Sequence, residues 1–397
     1  MSALGDIALR AQGLPWLNGR ERSTLRHMAD CKTERLGGNV LSCECGNREV
    51  HWNSCRDRHC PLCQGAARAR WVSARLGELL HCPYFHVVFT VPHELVPLAL
   101  ANRSLFYRAL FLSVHETLLA VSANPANLGA RIGGMSVLHT WNQKLAFHPH
   151  LHCIIPGGGI APDGASWVTG NSSWFVSVKR LSLVFRGKLL SSLESSLIKD
   201  ELQGDKVAHH VALRKAAAKA FVVYAKPPFG GPAQVVKYLG RYTHRVGISE
   251  QRIVSSDESQ VCFSWTDRAA GHSRRLMQLS TEDFIRKFML HILPRGFRKI
   301  RYFGFMANRD RTASLERVRG LIDSSLHTIQ ERQKGSTLAL DGPDPHEPLP
   351  GPICSKCGLR LRLQSLVMRA STTGSQESRT VALHETHGPE PNWGDPA

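Results

Sequence analysis

Three observations predict an α+β chain with a small N-terminal domain of its own. Strand-like apolar runs and amphipathic helical stretches are mixed between residues 81 and 330, and six cysteines crowd between Cys31 and Cys63. After about residue 330 the composition turns to Gly, Pro, Ser and Thr. We read three regions from this: residues 1–80, rich in Cys, His and basic side chains; residues 81–330, holding the main core; and residues 331–397, a mostly disordered tail with an isolated Cys354-x-x-Cys357.

The bulk numbers agree. At 397 residues, 42% apolar and 21% charged, the chain is an ordinary globular protein of two or three domains, which excludes wholesale disorder and a membrane protein. The N-terminus lacks a signal-peptide core and no run approaches the ~20 apolar residues of a membrane helix, so a cytoplasmic protein is expected. Fifty Lys and Arg against 32 Asp and Glu give +18 and a pI near 9.8, which predicts a polyanionic partner, nucleic acid first.

The elements follow in chain order. AARARWVSARLGELL is helical, with Trp71, Val72, Leu76, Leu79 and Leu80 on one face, and a domain boundary is expected near residue 81. YFHVVFTV reads as a buried strand, and RSLFYRALFLSVHETLLAVS as a helix capped by Asn102. GMSVLHTWN and HLHCIIPGGG are strands, the second stopped by its glycines. WFVSV and FVVYA are further strands bracketing a helix from Lys179 to Ile198. Pro232 suits the first turn of a helix that Gly247 ends. RIVSS and QVCFSW form a hairpin, and a helix opens after Ser280 with Asp283 three residues on. No internal repeat is present.

The string CECGNREVHWNSCRDRHCPLCQ offers Cys43, Cys45, Cys55, His59, Cys60 and Cys63, the thiolate and imidazole set that zinc prefers in a closed tetrahedron. In a reducing compartment this crowding points to metal and not to disulfides. Cys60 and Cys63 have the spacing of a zinc knuckle, whereas Cys43 and Cys45 are one residue too close. The partner pair could draw on Cys55, His59 or Cys31, and His27 with Cys31 permits a second ion. Arg56 and Arg58 nearby suggest a domain that touches phosphates.

In FHPHLHCIIP, His148, His150 and His152 alternate, which on a strand puts them on one face, and His139 on the preceding strand can lie opposite. Converging neutral imidazoles suit a divalent cation with open positions, with His139 preferred as third ligand to His150 and His152 and with Gln234 or His148 as alternatives. Imidazole ligands admit Mn2+ at least as well as Mg2+. Tyr238 and Tyr242 are four residues apart, one helical turn, among Lys237, Arg241, His244 and Arg245. FIRKFMLHILPRGFRKIR carries Arg286, Lys287, Arg295, Arg298, Lys299 and Arg301 and no acid, interleaved with Phe284, Phe288 and Phe297, a pattern for tracking single-stranded DNA with aromatic stacking.

In order along residues 20–320, SCRDRHCPLCQ, YFHVVFTVPHEL, FHPHLHCIIPGGG, PFGGPAQVVKYLGRYTHR and FIRKFMLHILPRGFRKIRYFGFMANR resemble the insertion-sequence transposases of the HUH, two-tyrosine, rolling-circle type, which carry an N-terminal zinc-binding domain. The resemblance implies an HUH domain with a central antiparallel sheet and flanking helices. It implies a metal-dependent nickase and ligase, bacterial and DNA-associated, acting on single-stranded or hairpin DNA at element ends. His150 and His152 would be metal ligands, and Tyr238 and Tyr242 nucleophiles forming a 5′-phosphotyrosine. The chain departs from the family pattern in having one residue, not two, between Cys43 and Cys45. Two rival readings are a metal-independent tyrosine recombinase built on His272, Arg275 and Tyr302, and a zinc-dependent DNA-binding regulator that would leave the histidines and tyrosines idle.

Overall fold

The computed structural model describes residues 2–170, 176–226, 232–243, 247–267, 270–330, 352–367 and 380–382. The chain divides into two compact units, residues 1–63 with 348–397, and residues 64–347. The boundary therefore falls after Cys63 and not near residue 81, and part of the expected tail belongs to the first unit.

The first unit opens with helices α1 (Ala3–Arg10) and α2 (Gly19–Asp30). Ser2 caps α1, and Asn18 with Glu21 forms a capping box on α2, so the first backbone donors of each helix are satisfied locally. Leu4, Ile7 and Ala8 of α1 and Leu25, Met28 and Ala29 of α2 are buried. An antiparallel hairpin follows, β1 (Gly38–Ser42) with β2 (Arg48–Trp52).

The second unit begins with α3 (Gly65–Gly77) and β3 (Tyr84–Thr90), then α4 (Val96–Ala101) and α5 (Arg103–Ala123). Asn102 does not cap α5. Its side chain instead donates to the carbonyls of Leu98 and Gln203 and accepts from Gln203 N, joining two separate segments. Strands β4 (Gly133–Trp141) and β5 (Phe147–Pro156) are followed by the small ribbon β6 (Gly158–Ile160) and β7 (Trp167–Thr169). Of the strand expected at WFVSV, Trp174 and Phe175 lie outside the described residues and the rest is not a strand: Ser177 caps the helix that Val178 opens, accepting from Arg180 N. Helices α6 (Val178–Ile198) and α7 (Lys206–Ala217), strand β8 (Val222–Lys226) and helix α8 (Pro232–Thr243) come next. The expected hairpin is present as β9 (Ile253–Ser256) and β10 (Gln260–Asp267), extended by β11 (Ser273–Ser280). Ser280 caps α9 (Thr281–Met289), accepting from Asp283 N at 3.0 Å, and β12 (Ile300–Gly304) and α10 (Arg311–Gln330) close the unit.

The central sheet is antiparallel in the order β12-β4-β5-β3-β8. Alternation sorts its side chains onto two faces. Phe85, Val87, Phe89, Leu138, Leu151, Cys153 and Ile155 bury one face under α5 and α6, whose stripe Leu181, Phe185, Leu189, Leu193 and Leu197 repeats every four residues. Tyr84, Met135 and Ile154 face the other way and pack with Val236 of α8 and with Leu315 and Val318 of α10. By length and apolarity α5 meets the requirement for crossing a membrane, against the sequence expectation, but 56% of its most apolar window is buried in this core.

The chain then supplies two strands to the first unit, β13 (Arg362–Val367) and β14 (Thr380–Ala382), giving a sheet in the order β14-β13-β1-β2. The tail, expected to be mostly disordered, thus contains a folded segment.

Candidate active site and metal centres

The β4–β5 register sets His139 directly across from His150, and His152 lies two residues along on the same face. One ring nitrogen from each of His139, His150 and His152 lies within 4.8 Å of the others. His148 is outside this set, and its carbonyl oxygen accepts the Nδ1–H of His150 at 2.6 Å. That bond fixes the tautomer and leaves the lone pair on His150 Nε2, the form a metal needs. His139 is fully buried, and desolvation first, then the neighbouring His150, Lys299 and His86, hold its pKa well below the ordinary imidazole range. Three converging imidazoles fit a divalent cation.

His86, on β3, joins this group without having stood out in the sequence. Its Nε2 stands 2.8 Å from His152 Nδ1, and burial lowers its pKa to about 4. The signal lay in YFHVVFTV, where His86 alternates away from the core residues Phe85 and Val87.

Helix α8 lies on the histidine-bearing side of the sheet, because Val236 packs among Tyr84, Met135 and Ile154. Gly240 lets it approach α3 closely: a Cβ there would sit 2.2 Å from Val72 Cγ2. Tyr238 and Tyr242 are one turn apart on α8, with Arg241 between them. The side chains of these three residues, and the whole of Arg245, lie outside the described residues. Gln234 is exposed on the same helix.

The basic stretch divides. Phe284 and Phe288 are buried, Phe284 edge-on to Phe263 at 5.9 Å, so they serve the core and are not stacking platforms. Arg286 pairs with Glu282 one turn back, and Lys287 is half-buried on α9, which makes this helix the solvated face of a core element. Arg295, Arg298 and Arg301, with Phe297 and Tyr302, instead line an open cleft of about 460 Å³. Arg301 lies over the rings of Phe111 and Phe297, at 4.4 and 5.1 Å. The recombinase residues are not assembled. His272 and Arg275 are at the start of the β9–β10–β11 sheet's last strand, Arg275 pairing with Asp267, while Tyr302 is on β12 of the central sheet and accepts from Arg75 Nη1 at 2.7 Å.

The cysteines form two sets, not the six-residue cluster expected. Cys31, Cys55, Cys60 and Cys63 bring their sulfurs within 4.8 Å of one another, with Cys55 and Cys63 at 3.7 Å. Cys31, only an alternative in the sequence, is therefore a member. His59 is not: it is buried with Nδ1 3.2 Å from Asp57 Oδ1, and Asp57 also meets His27 Nδ1 at 2.8 Å. Hydrogen bonds from Cys31 and the other two thiols push Cys63 far below the ordinary thiol range, and the same crowding drives Cys60 far above it. Four sulfurs this close shed their protons together only when a cation is among them, and four thiolates are a closed zinc set. Cys43 and Cys45 belong elsewhere, their sulfurs near those of Cys357 and Cys354.

Comparison with known proteins gives this arrangement its class, that of the transposases. A family model described as a putative transposase matches residues 133–313, and one described as a transposase zinc-binding domain matches residues 9–91. The chain is 44% identical over 335 residues to the putative transposase y4qJ of Sinorhizobium fredii, covering 82% of this chain and 84% of that one. It is 28% identical over 309 residues to the transposase for insertion sequence element IS801 of Pseudomonas savastanoi pv. phaseolicola, covering 73% and 71%. A solved conjugative relaxase, TrwC with oriT DNA, overlaps 40% of this chain and 68% of its own at 12% identity and a TM-score of 0.21, too slight to bear on function. The chain belongs to the insertion-sequence transposases of the HUH, two-tyrosine type that carry an N-terminal zinc-binding domain.

Proposed function

We propose that this transposase nicks and rejoins single-stranded or hairpin DNA at the ends of an insertion sequence, in the bacterial cytoplasm, through a 5′-phosphotyrosine intermediate on Tyr238 or Tyr242. The observation that carries this reading is the packing of the tyrosine-bearing helix, through Val236, onto the sheet face that presents His139, His150 and His152. These three histidines would hold Mg2+ or Mn2+, and the cation when bound would draw charge from the non-bridging oxygens of the scissile phosphate.

The remaining steps are the chain's own. The phenolic oxygen of one tyrosine forms a bond to phosphorus as the bond from phosphorus to the 3′ oxygen breaks; the phenol gives up its proton and the departing 3′ oxygen takes one. A phenol of pKa ~10 needs help to ionise near neutrality, and Lys237 on the same helix adds positive charge nearby. The phosphodiester energy is kept in the tyrosyl ester, so rejoining requires no ATP. Two tyrosines a turn apart let a second strand be cut while the first is still linked. Arg241 and Arg245 would steady the phosphates at the tyrosine helix. Arg295, Arg298, Lys299 and Arg301 would hold the backbone of the approaching strand, while Arg286 and Lys287, on the solvated face of α9, would stay clear of it. Cys31, Cys55, Cys60 and Cys63 would hold a structural zinc.

The test uses a single-stranded oligonucleotide carrying the element's end, with Mn2+ or Mg2+. The wild-type protein should form a denaturant-stable adduct with the 5′ phosphate at the nick, leaving a free 3′ hydroxyl. His150→Ala or His152→Ala should abolish it, each single Tyr→Phe protein should retain nicking, and the Tyr238→Phe/Tyr242→Phe protein should form none. An adduct that survives in the double variant or maps to Tyr302 would overturn the assignment.

A further inference from the structure

We propose a second structural zinc site, formed by Cys43 and Cys45 near the N-terminus and Cys354 and Cys357 in the tail, that closes the first unit with residues from both ends of the chain. The zinc-domain match stops at residue 91, so it assigns nothing to the two tail cysteines.

The four sulfurs lie within 4.8 Å of one another. Cys43 Sγ is 3.4 Å from Cys357 Sγ, and Cys45 Sγ is 3.7 Å from Cys354 Sγ. A disulfide would need about 2.0 Å. A tetrahedron of thiolates at ~2.3 Å from zinc has edges of about 3.8 Å, which these separations approach. The pairing crosses over 300 residues of chain, so it is made by tertiary structure and not by a local run of cysteines.

Both knuckles are built. Gly46 N donates to Cys43 O at 2.9 Å and Cys43 N to Asn47 O at 2.9 Å; in the tail Gly358 N donates to Cys354 O at 3.0 Å and Cys354 N to Leu359 O at 2.8 Å. Each turn ends on a glycine in the left-handed region, Gly46 at φ +81° and Gly358 at φ +78°, so the short Cys43–Cys45 spacing is turned by the glycine that follows it. Hydrogen bonds beyond the sulfur–sulfur contacts join the two knuckles. Asn47 Nδ2 donates to Cys354 Sγ at 3.4 Å and to Glu49 Oε1 at 3.0 Å, and the same Glu49 oxygen accepts from Ser355 N at 2.7 Å and Ser355 Oγ at 2.8 Å. Such outer bonds orient ligands before a metal arrives. Below them Leu41, Cys43, Cys354 and Leu361 bury a small apolar cluster, and β13 pairs with β1 from Gly38↔Val367 to Ser42↔Arg362. The two strands beside two facing knuckles make a zinc ribbon whose halves are separated by the whole second unit.

The test counts metal on the full-length protein purified under reducing conditions, by native mass spectrometry with elemental analysis. Two zinc ions per chain are expected. The Cys354→Ser/Cys357→Ser protein should hold one, as should Cys60→Ser, whereas Cys357→His should keep two, since imidazole replaces a thiolate ligand. A single zinc in the wild type that the double-serine protein keeps, iron in place of zinc, or two zinc ions in the double-serine protein would overturn the proposal. Should the serine variant fail to fold, alkylation of the wild type during graded chelation decides the matter. Cys43, Cys45, Cys354 and Cys357 should become reactive as one group, and exposure of the first pair while the tail pair stays protected would equally overturn it. Neither measurement depends on DNA cleavage, so its outcome is separate from that of the proposed strand-transfer chemistry.

Discussion

His86 Nε2 lies 2.8 Å from His152 Nδ1 across the β3–β5 pairing, so one imidazole holds the orientation of another. Their rings are nearly coplanar, 13° apart, with centroids at 5.0 Å. With Nδ1 engaged, His152 turns its Nε2 away from His86, and the strand pairing keeps that direction fixed.

On the proposed metal site, His86 acts by positioning His152. His86→Ala should raise the Mn2+ concentration needed for half-maximal adduct formation, on the order of tenfold to a hundredfold, with zinc content and folding retained. His86→Gln, which can still bond the His152 ring, should recover most of the loss. An unchanged Mn2+ requirement in the alanine protein would count against the role.

Gly240 sits between the two tyrosines and takes up the close approach of α8 to α3, where an added Cβ would come 2.2 Å from Val72 Cγ2. Gly240→Ala should therefore displace the helix and lower nicking by tenfold or more, an order-of-magnitude expectation for a misplaced catalytic group. Val72→Ala should restore much of the activity by making room. A Gly240→Ala protein as active as the wild type would show that this approach does not set the tyrosines.

The division of the basic stretch predicts different salt dependence at its two ends. Neutralising Arg295 and Arg298 together should flatten the plot of log affinity against log salt for single-stranded DNA by roughly 0.7 for each phosphate left without its arginine. Arg286→Gln should change the slope little, because Arg286 is already paired with Glu282. Equal effects at both ends would mean that α9 touches DNA as well.

His291 gives a pH prediction. It is buried, its Nε2–H donates to Leu145 O and its Nδ1 accepts from Thr140 Oγ1, each at 3.2 Å. Desolvation lowers its pKa from 6.5 to about 3. Between those values the unfolded chain binds a proton that the folded chain refuses, so this group's contribution to stability is intact above pH 6.5 and is lost as the pH falls, by up to about 1.4 kcal/mol per pH unit. His291→Gln should lower stability at neutral pH yet give a shallower decline between pH 6 and 4, read from denaturant midpoints of the two proteins side by side. Parallel declines would remove His291 as a source of acid sensitivity.

The local part of this structure was legible in the residues. The alternation of His150 and His152, the Ser280–Asp283 cap and the hairpin around β9 and β10 all follow from short-range geometry, which a sequence displays directly. The burial of Phe284 and Phe288, expected as stacking platforms, was open to view there too, since their four-residue spacing marks the buried face of α9. Strand order, register and the return of the tail were decided only by the tertiary structure. They bring His86 to His152, Val236 to Ile154, and Cys354 and Cys357 to Cys45 and Cys43. The spacing of cysteines states that thiolates are at hand, but that Cys43 and Cys45 meet Cys354 and Cys357 depends on backbone hydrogen bonds between segments over 300 residues apart, which no local pattern encodes.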